Sequence, residues 1–298
     1  MVKIGQALKS NAILRAVTGL KLRQFKMLAV NFEVDLRASF QEDRKVSVDL
    51  GRGFVLRSSE EKLFFVLLYM KCYPTFEVAG WLFDVHKSSC CRWVKWFLPA
   101  LQRTLGKELV LPQRKIGDAE EFVRLFPAVR AAFVDGTERP IRRPKDSARQ
   151  KENYSGKKKR HTRKNIVVND ENKRILILTQ TAEGKKHDFE IYKDEGIGDE
   201  LPDEIDCFVD LGFQGIQSVS PNLKVHIPKK KPRGGELSVE QKQHNRQISA
   251  RRIRSEHAIG GVKRYGIVSE VYRNRREGLD DTVMLVASGL WNYYLKTA

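Results

Sequence analysis

The stretch IVVNDENKRILILTQT, residues 166–181, decides the fold class of the region that follows Pro112. Two apolar runs enclose an Asn-Asp segment, which is typical of two antiparallel strands joined by a turn. Further short apolar runs, AAFVDGT, DCFVDLGF and VHIP, alternate with segments that predict helices, among them HDFEIYKDE and a long helix over about 239–261. A hairpin followed by alternating helices and strands predicts an α/β domain, with a mixed sheet flanked by helices.

The region in front of this domain predicts helices alone. A serine N-cap before two glutamates starts one helix near residue 58, Thr75 caps a short second helix, and a tight turn leads to a third that begins near Lys87. This order is typical of a helix-turn-helix, whose last helix presents its first residues to the major groove. The candidate DNA contacts are Ser88, Ser89 and Arg92. A three-helix bundle without a ligand is the alternative, and helix spacing alone does not decide between the two.

The remaining front residues complete the predicted organisation. Residues 1–55 are predicted to be mostly helical, with Thr18 as the N-cap of a segment that includes FKMLAVNFEVDL. Trp81, Trp93 and Trp96 are interpreted as core residues. We therefore predict three parts, which are an N-terminal helical region over 1–55, a helix-turn-helix domain over 56–112 and a mixed-sheet domain over 125–298.

Composition points to a polyanionic partner. The 298 residues carry a formal net charge of +18, and nucleic acid is the commonest partner of so basic a protein.

The four cysteines have no CxxC spacing, which argues against structural zinc and against a disulfide framework and predicts a reducing, cytoplasmic location. The longest apolar run, LFFVLLYM, is far short of the roughly 20 residues that span a bilayer, so no membrane association is predicted.

Basic residues cluster between positions 139 and 164. This segment, RPIRRPKDSARQKENYSGKKKRHTRK, holds twelve Lys or Arg against two acids. Such density favours a path for phosphates over a solvated loop, which is the alternative. Binding to the sugar-phosphate backbone is independent of sequence and weakens as salt rises. The candidate backbone contacts are Lys157, Lys158, Lys159 and Arg160.

Two aspartates share one local pattern. Asp135 and Asp210 each follow an apolar run that predicts a buried strand, and each is followed within two residues by glycine. Open α/β sheets bind ligands at the carboxyl ends of their strands, and glycine permits a close approach. An aspartate that begins a turn or caps a helix is the ordinary alternative.

A third carboxylate stands alone in a basic helix. In RRIRSEHAIGGVKRYG, residues 251–266, Glu256 is surrounded by arginine and lysine. At about 100° per residue, Arg252 and Lys263 lie on the same helix face as Glu256. The glycine pair that begins at Gly260 costs helix stability, which predicts that a backbone or a ligand lies close to it.

Three carboxylates from two strands and a helix are suited to divalent cations. Hard cations take oxygen ligands and leave positions open for phosphate oxygens. The surrounding basic residues would then hold the phosphates that the metal activates. Acid at the centre and base at the rim predicts phosphoryl transfer on nucleic acid.

Several stretches together resemble one known family. From about Leu56 onward the chain is similar to DDE-superfamily transposases of the insertion-sequence-five-like group, which combine a helix-turn-helix with a ribonuclease-H-like catalytic domain. The stretches that carry the resemblance are KCYPTFEVAGWLFDVHKSSCCRWV, VDGTERPIRRP, NYSGKKKRHTRKN, KKHDFE, VDLGFQG, KKKPRGGELS and RIRSEHAIGGVKRY.

The resemblance implies that Asp135, Asp210 and Glu256 form the catalytic, metal-binding triad. It implies two Mg²⁺ ions, with Mn²⁺ as a substitute, and in-line attack of water and then of a 3′-hydroxyl at phosphorus. Arg252 and Lys263 match the basic positions of a Tyr-Arg-Glu-Lys signature, in which the tyrosine position is Ser249 here. We interpret both as phosphate contacts.

The implied partners are double-stranded DNA, as terminal inverted repeats and as target, and a second copy of the chain or more. The expected location is cytoplasmic and nucleoid-associated, or nuclear in a eukaryotic source. A regulatory or domesticated DNA-binding protein and a stand-alone metal-dependent endonuclease remain as alternatives. Asp188, in KKHDFE, is interpreted as a helix cap.

Overall fold

The computed structural model describes residues 3–42 and 55–298. In chain order the helices are α1 (Ile4–Ala7), α2 (Asn11–Thr18), α3 (Leu22–Glu42), α4 (Ser59–Cys72), α5 (Phe76–Phe83), α6 (Lys87–Lys107), α7 (Ala119–Leu125), α8 (Ser147–Asn153), α9 (Asp188–Glu195), α10 (Ile197–Glu200), α11 (Ile216–Val219), α12 (Val239–Lys263), α13 (Gly266–Ser269) and α14 (Leu279–Lys296). The strands are β1 (Ala131–Pro140), β2 (Tyr154–Ser155), β3 (Arg160–Asn169), β4 (Ile175–Leu178), β5 (Ala182–Glu183), β6 (Asp206–Phe208) and β7 (Lys224–His226).

Packing divides the chain into two compact units. A helical unit contains Met1–Leu111, Val262–Glu270 and Thr282–Ala298, and a sheet unit contains Pro112–Gly261 and Val271–Asp281. Most of α14 therefore packs within the helical unit, although it comes last in the sequence. The three predicted parts, over residues 1–55, 56–112 and 125–298, remain a prediction.

Capping residues start the helices of the helical unit. Ser58 forms a capping box with Glu61, and Thr75 caps α5. The third helix of this series begins at Lys87, as predicted, but its cap is the ring of His86, which accepts a hydrogen bond from the backbone of Ser88. Over residues 3–42 and 55–111 the front region contains helices and no strand, as predicted, whereas residues 43–54 of the predicted N-terminal helical region lie outside the described residues.

Two predictions for the helical unit are wrong. Thr18 does not start a helix: it is the last residue of α2, whose N-cap is Ser10. The Thr18 hydroxyl instead binds the carbonyl of Leu14 and accepts from the backbone of Leu20. Trp81 is not a core residue, because 74% of it is exposed, whereas Trp93 is buried.

The sheet is mixed, as predicted. Its strand order is β2-β3-β1-β6-β7, and β4 and β5 also pair with β3. β1 is antiparallel to β3 and parallel to β6, and β6 is parallel to β7. The α/β fold class, with a ribonuclease-H-like mixed sheet flanked by helices, is confirmed.

The two faces of the sheet differ because side chains alternate along a strand. Ala132 and Val134 of β1 belong to a large core that includes residues of α7, α9, α10 and α11. Ala131 and Phe133 face the other way and pack with Phe208 and with Ile248 of α12. We call the face of Ala132 and Val134 the α9 face, and the face of Ala131 and Phe133 the α12 face. None of the described helices combines the length and the apolar character needed to cross a bilayer.

Candidate active site

Asp135 and Asp210 lie at the same level of neighbouring strands. The parallel pairing of β1 with β6 places Phe133 beside Phe208, and the two aspartates come two residues later in each chain segment. Alternation puts both aspartates on the α12 face. The charge of Asp210 acts on Asp135, where it is one of the causes of a raised pKa. The sheet therefore brings two of the three predicted carboxylates together.

Burial dominates the electrostatics of Asp135. The pKa of this carboxyl is raised to about 6, chiefly by loss of solvent; the charge of Arg252 lowers the pKa, and the charges of Asp210 and Asp188 raise it. The guanidinium of Arg252 lies 3.7 Å from the Asp135 carboxylate. The backbone N–H of Gly136 donates a hydrogen bond of 2.8 Å to Asp135 Oδ1. A positive charge beside Asp135 thus offsets an unfavourable burial.

Glu256 lies on α12 but is exposed. Ile248 of this helix packs with Phe133, and Arg252, one turn later, reaches Asp135. Glu256 follows after one more turn on the same stripe. Within residues 3–42 and 55–298, no three His, Cys, Asp or Glu side chains form a cluster that could hold a metal ion. Glu256 therefore flanks the aspartate pair without joining it in a closed ligand set.

The aspartate pair fits a divalent cation in donor chemistry. Both side chains offer oxygen, which hard cations prefer, and burial raises the pKa of Asp135, so a cation beside it would stabilise the charged carboxylate. Asp135 and Asp210 are thus the residues that would hold such an ion, with Glu256 available from the adjacent turn of α12.

Asp188 is not the predicted helix cap. The N-cap of α9 is His187, and no side chain caps that end. The Asp188 carboxylate instead lies against Gly136, where a Cβ atom would come within 2.6 Å of Asp188 Cγ. Its Oδ1 lies 3.1 Å from the ammonium of Lys164, which is also 3.4 Å from Glu138. This partly buried cluster on the α9 face was not predicted from the sequence, although the glycine after Asp135 indicates a close approach.

The basic segment divides into exposed and buried parts. Lys157, Lys158, Lys159 and Arg160 are exposed at the tip of a hairpin in which β2 pairs with the start of β3. Lys164 and Arg139, at the ends of the segment, are buried. The interpretation of the whole segment as a phosphate path is wrong for these two residues, whose charges have partners inside the sheet unit.

The remaining predicted DNA contacts lie near the start of α6 and at the end of α12. Arg92 is exposed and donates to the hydroxyl of Ser89 at 3.2 Å, and the Ser88 hydroxyl lies 2.8 Å from His86 Nδ1. Lys263 is half-buried in the last turn of α12. Apart from its chain neighbours and the nearby backbone of α12 itself, no atom in the described part of the chain comes within 4 Å of a Cβ built at Gly260, so no other element makes the expected close approach there.

Comparisons with known proteins give two family matches and one relative. Residues 134–292 match the model for a DDE superfamily endonuclease, and residues 55–107 match the model for the helix-turn-helix of DDE superfamily endonucleases. A probable transposase for insertion sequence element IS702, from Microchaete diplosiphon, is 31% identical over 239 residues, which cover 79% of this chain and 80% of the relative. No solved structure matches the chain.

Proposed function

Because the chain belongs to the DDE superfamily of endonucleases, we propose that it is a DNA transposase that cleaves element ends and transfers the cut strand into target DNA. The observation that carries this proposal is the pair Asp135 and Asp210, held at one level of two neighbouring parallel-paired segments. A chain with only a DNA-binding role has no need of two carboxylates brought together against their mutual repulsion.

In the proposed mechanism, Asp135, Asp210 and Glu256 would hold the catalytic cations, Mg²⁺ or Mn²⁺. When bound, such ions activate water and stabilise the leaving oxygen of an in-line displacement. The protein contributes position: β1 and β6 fix the two aspartates, and α12 carries Glu256 and Arg252 across the same face. Arg252, whose guanidinium lies 3.7 Å from the Asp135 carboxylate, would hold a non-bridging phosphate oxygen beside the scissile bond.

DNA recognition is proposed for two exposed elements. The first two turns of α6, with Ser88, Ser89 and Arg92, read bases of the terminal inverted repeats. The hairpin tip, residues 157–160, follows the phosphate backbone. Lys263 is proposed as a further phosphate contact. Two DNA ends must meet for strand transfer, so we propose a dimer or a larger assembly that works on chromosomal DNA in the cytoplasm.

The test is cleavage of a duplex taken from the borders of the coding sequence. Asp135→Asn, Asp210→Asn and Glu256→Gln should each abolish cleavage while the duplex is still bound in a gel shift. Glu204→Gln is the matched control, because Glu204 is an exposed acid of the same unit. Cleavage retained by any of the three variants contradicts the assignment of that residue.

A regulatory DNA-binding protein is the second candidate function. The exposure of Glu256, and the lack of a three-ligand cluster among the described residues, favour it. A strand-transfer assay with a pre-cut end separates the candidates. A transposase joins the end, a stand-alone endonuclease cleaves without joining, and a regulator does neither.

A further inference from the structure

A second exposed basic segment lies in the sheet unit, between β7 and α12. Its sequence, KKKPR at residues 229–233, contains four cations and no acid, and all four cationic side chains are exposed. We call it the basic loop. The Lys230 ammonium binds an amide oxygen and not a carboxylate, and no acidic side chain in the described part of the chain forms an ion pair with these four cations. By contrast, Lys242, on the following helix, is paired with Glu236.

The strand register places the start of the basic loop beside Asp210. β6 and β7 are parallel, with Asp206 opposite Lys224 and Phe208 opposite His226. Two residues further along each segment, Asp210 stands at the level of Pro228. The basic loop therefore leaves the sheet at the edge where Asp210 and Asp135 lie, whereas Lys224 lies at the other end of β7.

Hydrogen bonds hold the loop backbone in place. The side chain of Asn245, on α12, accepts from the Lys229 backbone N–H at 2.7 Å and donates to the Lys229 carbonyl at 2.9 Å. The Lys230 ammonium donates to Gln214, four residues after Asp210, at 3.4 Å. Pro228 and Pro232 restrict the backbone on both sides of the lysines. A loop that only faced solvent would not need its backbone to be fixed to α12, the helix that carries Glu256.

From this placement we propose that the basic loop binds the phosphodiester backbone of the DNA strand that enters the Asp135–Asp210 site. The inference rests on the proposed function, since it assumes that DNA is the substrate of that site. Cations next to the aspartates offset the repulsion between the phosphates and the carboxylates. The contact is with phosphate, so the loop contributes affinity that does not depend on base sequence.

The test compares Lys231→Glu with Lys224→Glu, which makes the same change of charge at the opposite end of β7. Binding of a fluorescent duplex is measured by anisotropy over a range of salt, in EDTA so that no cleavage occurs. The probes are a duplex from the border of the coding sequence and a shuffled duplex of the same composition.

We expect Lys231→Glu to weaken binding of both probes roughly tenfold at 0.1 M salt and to reduce the salt slope by about 0.9, the value of one phosphate contact. Adding Arg233→Glu should double the change in slope. Lys224→Glu should have a much smaller effect. Equal effects of Lys231→Glu and Lys224→Glu, or a loss confined to the border duplex, would overturn the inference.

A second measurement locates the contact. Neutral methylphosphonates are introduced one at a time along the border duplex, and affinity is measured for the wild type and for Lys231→Glu. Near the cleavage site, at least one substitution should weaken the wild type but not the variant, because both changes remove the same contact. Additive losses at every position would contradict the proposal. A wild-type protein that binds neither duplex would instead contradict the proposed function.

Discussion

The two ends of the basic segment and its middle all carry cations in the sequence but lie in opposite environments in the structure. The middle, Lys157 to Arg160, is exposed at a hairpin tip. At the ends, Arg139 is 1% exposed and Lys164 is 7% exposed. Arg139 donates to the Asp280 carbonyl, to Asn165 and to Thr181.

The number of charges in a sequence is therefore not the number of charges available to DNA. Removing a guanidinium from water costs several kcal/mol, so a buried arginine must have partners that are fixed by the fold. An exposed lysine keeps its hydration and remains free to exchange it for a phosphate. Buried and exposed charges should therefore respond differently to substitution: the first changes the stability of the fold, and the second changes the dependence of DNA binding on salt.

Arg139→Met should give the largest change in stability. It removes three hydrogen bonds at once and leaves Asn165, Thr181 and the carbonyl of Asp280 without the donor that they share. Breaking a buried charge network of this kind costs about 3–5 kcal/mol, measured as the free energy of unfolding in urea. The exposed Arg142, in the same segment, supplies the control, and Arg142→Met should cost less than about 0.5 kcal/mol. Equal costs would show that the segment is not divided as described.

Asp135→Asn should stabilise the protein in the absence of metal. Because burial raises the pKa of Asp135 to about 6, the charged form is disfavoured by folding. The penalty is absent below the unfolded pKa of about 3.9, grows as the pH rises and is complete above pH 6 or so. At pH 7.5 we expect the variant to gain about 2–3 kcal/mol over the wild type, and at pH 4 almost nothing.

Metal supplies the control for that prediction. Mg²⁺ or Mn²⁺ should raise the melting temperature of the wild type at pH 7.5 and should have less effect on Asp135→Asn, because a ligand that binds only the folded state stabilises it. A variant that is less stable than the wild type at pH 7.5 would show that Arg252 compensates the buried charge in full.

Gly136→Ala should destabilise the sheet unit by about 1–3 kcal/mol, as overpacking does. The added Cβ would meet the Asp188 carboxylate at 2.6 Å, and Asp188 cannot move away without leaving Lys164. In an Asp188→Ala background the cost should be smaller, and the difference between the two costs measures the contact. The same cost in both backgrounds would place the strain in the strand itself.

Local pattern in the sequence predicted the elements and the aspartate pair, because an apolar run, a turn and a cap are each encoded by neighbouring residues. The placement of Asp135 beside Asp210 follows from two strands, and each strand can be recognised from its own sequence. The failures concern residues whose role depends on distant parts of the chain. Asp188 was assigned to the nearest helix end, although β1 and β3 supply its contacts.

Burial of charge was likewise hidden from the sequence. Nothing near Arg139 indicates that Asp280, 141 residues later, supplies its partner. The exposure of Trp81 was hidden for the same reason, because an aromatic residue at helical spacing does not reveal which face the rest of the unit covers.

The smallest effect on stability, and the sharpest on binding, is expected at the hairpin tip. Lys158→Gln with Lys159→Gln should change the free energy of unfolding by less than about 0.5 kcal/mol, because both side chains are exposed. The salt slope of binding to a shuffled duplex should fall by about 1.8, the value of two phosphate contacts.

The matched control for the tip removes two exposed cations from the flank of the same segment, Lys145→Gln with Arg149→Gln. If the position of the hairpin matters, the salt slope of DNA binding should fall less in the flank variant than in the tip variant, although the change in net charge is identical. An equal loss would mean that the segment acts through its total exposed charge. The division between buried ends and exposed middle would then stand, but the hairpin would have no special part in DNA binding.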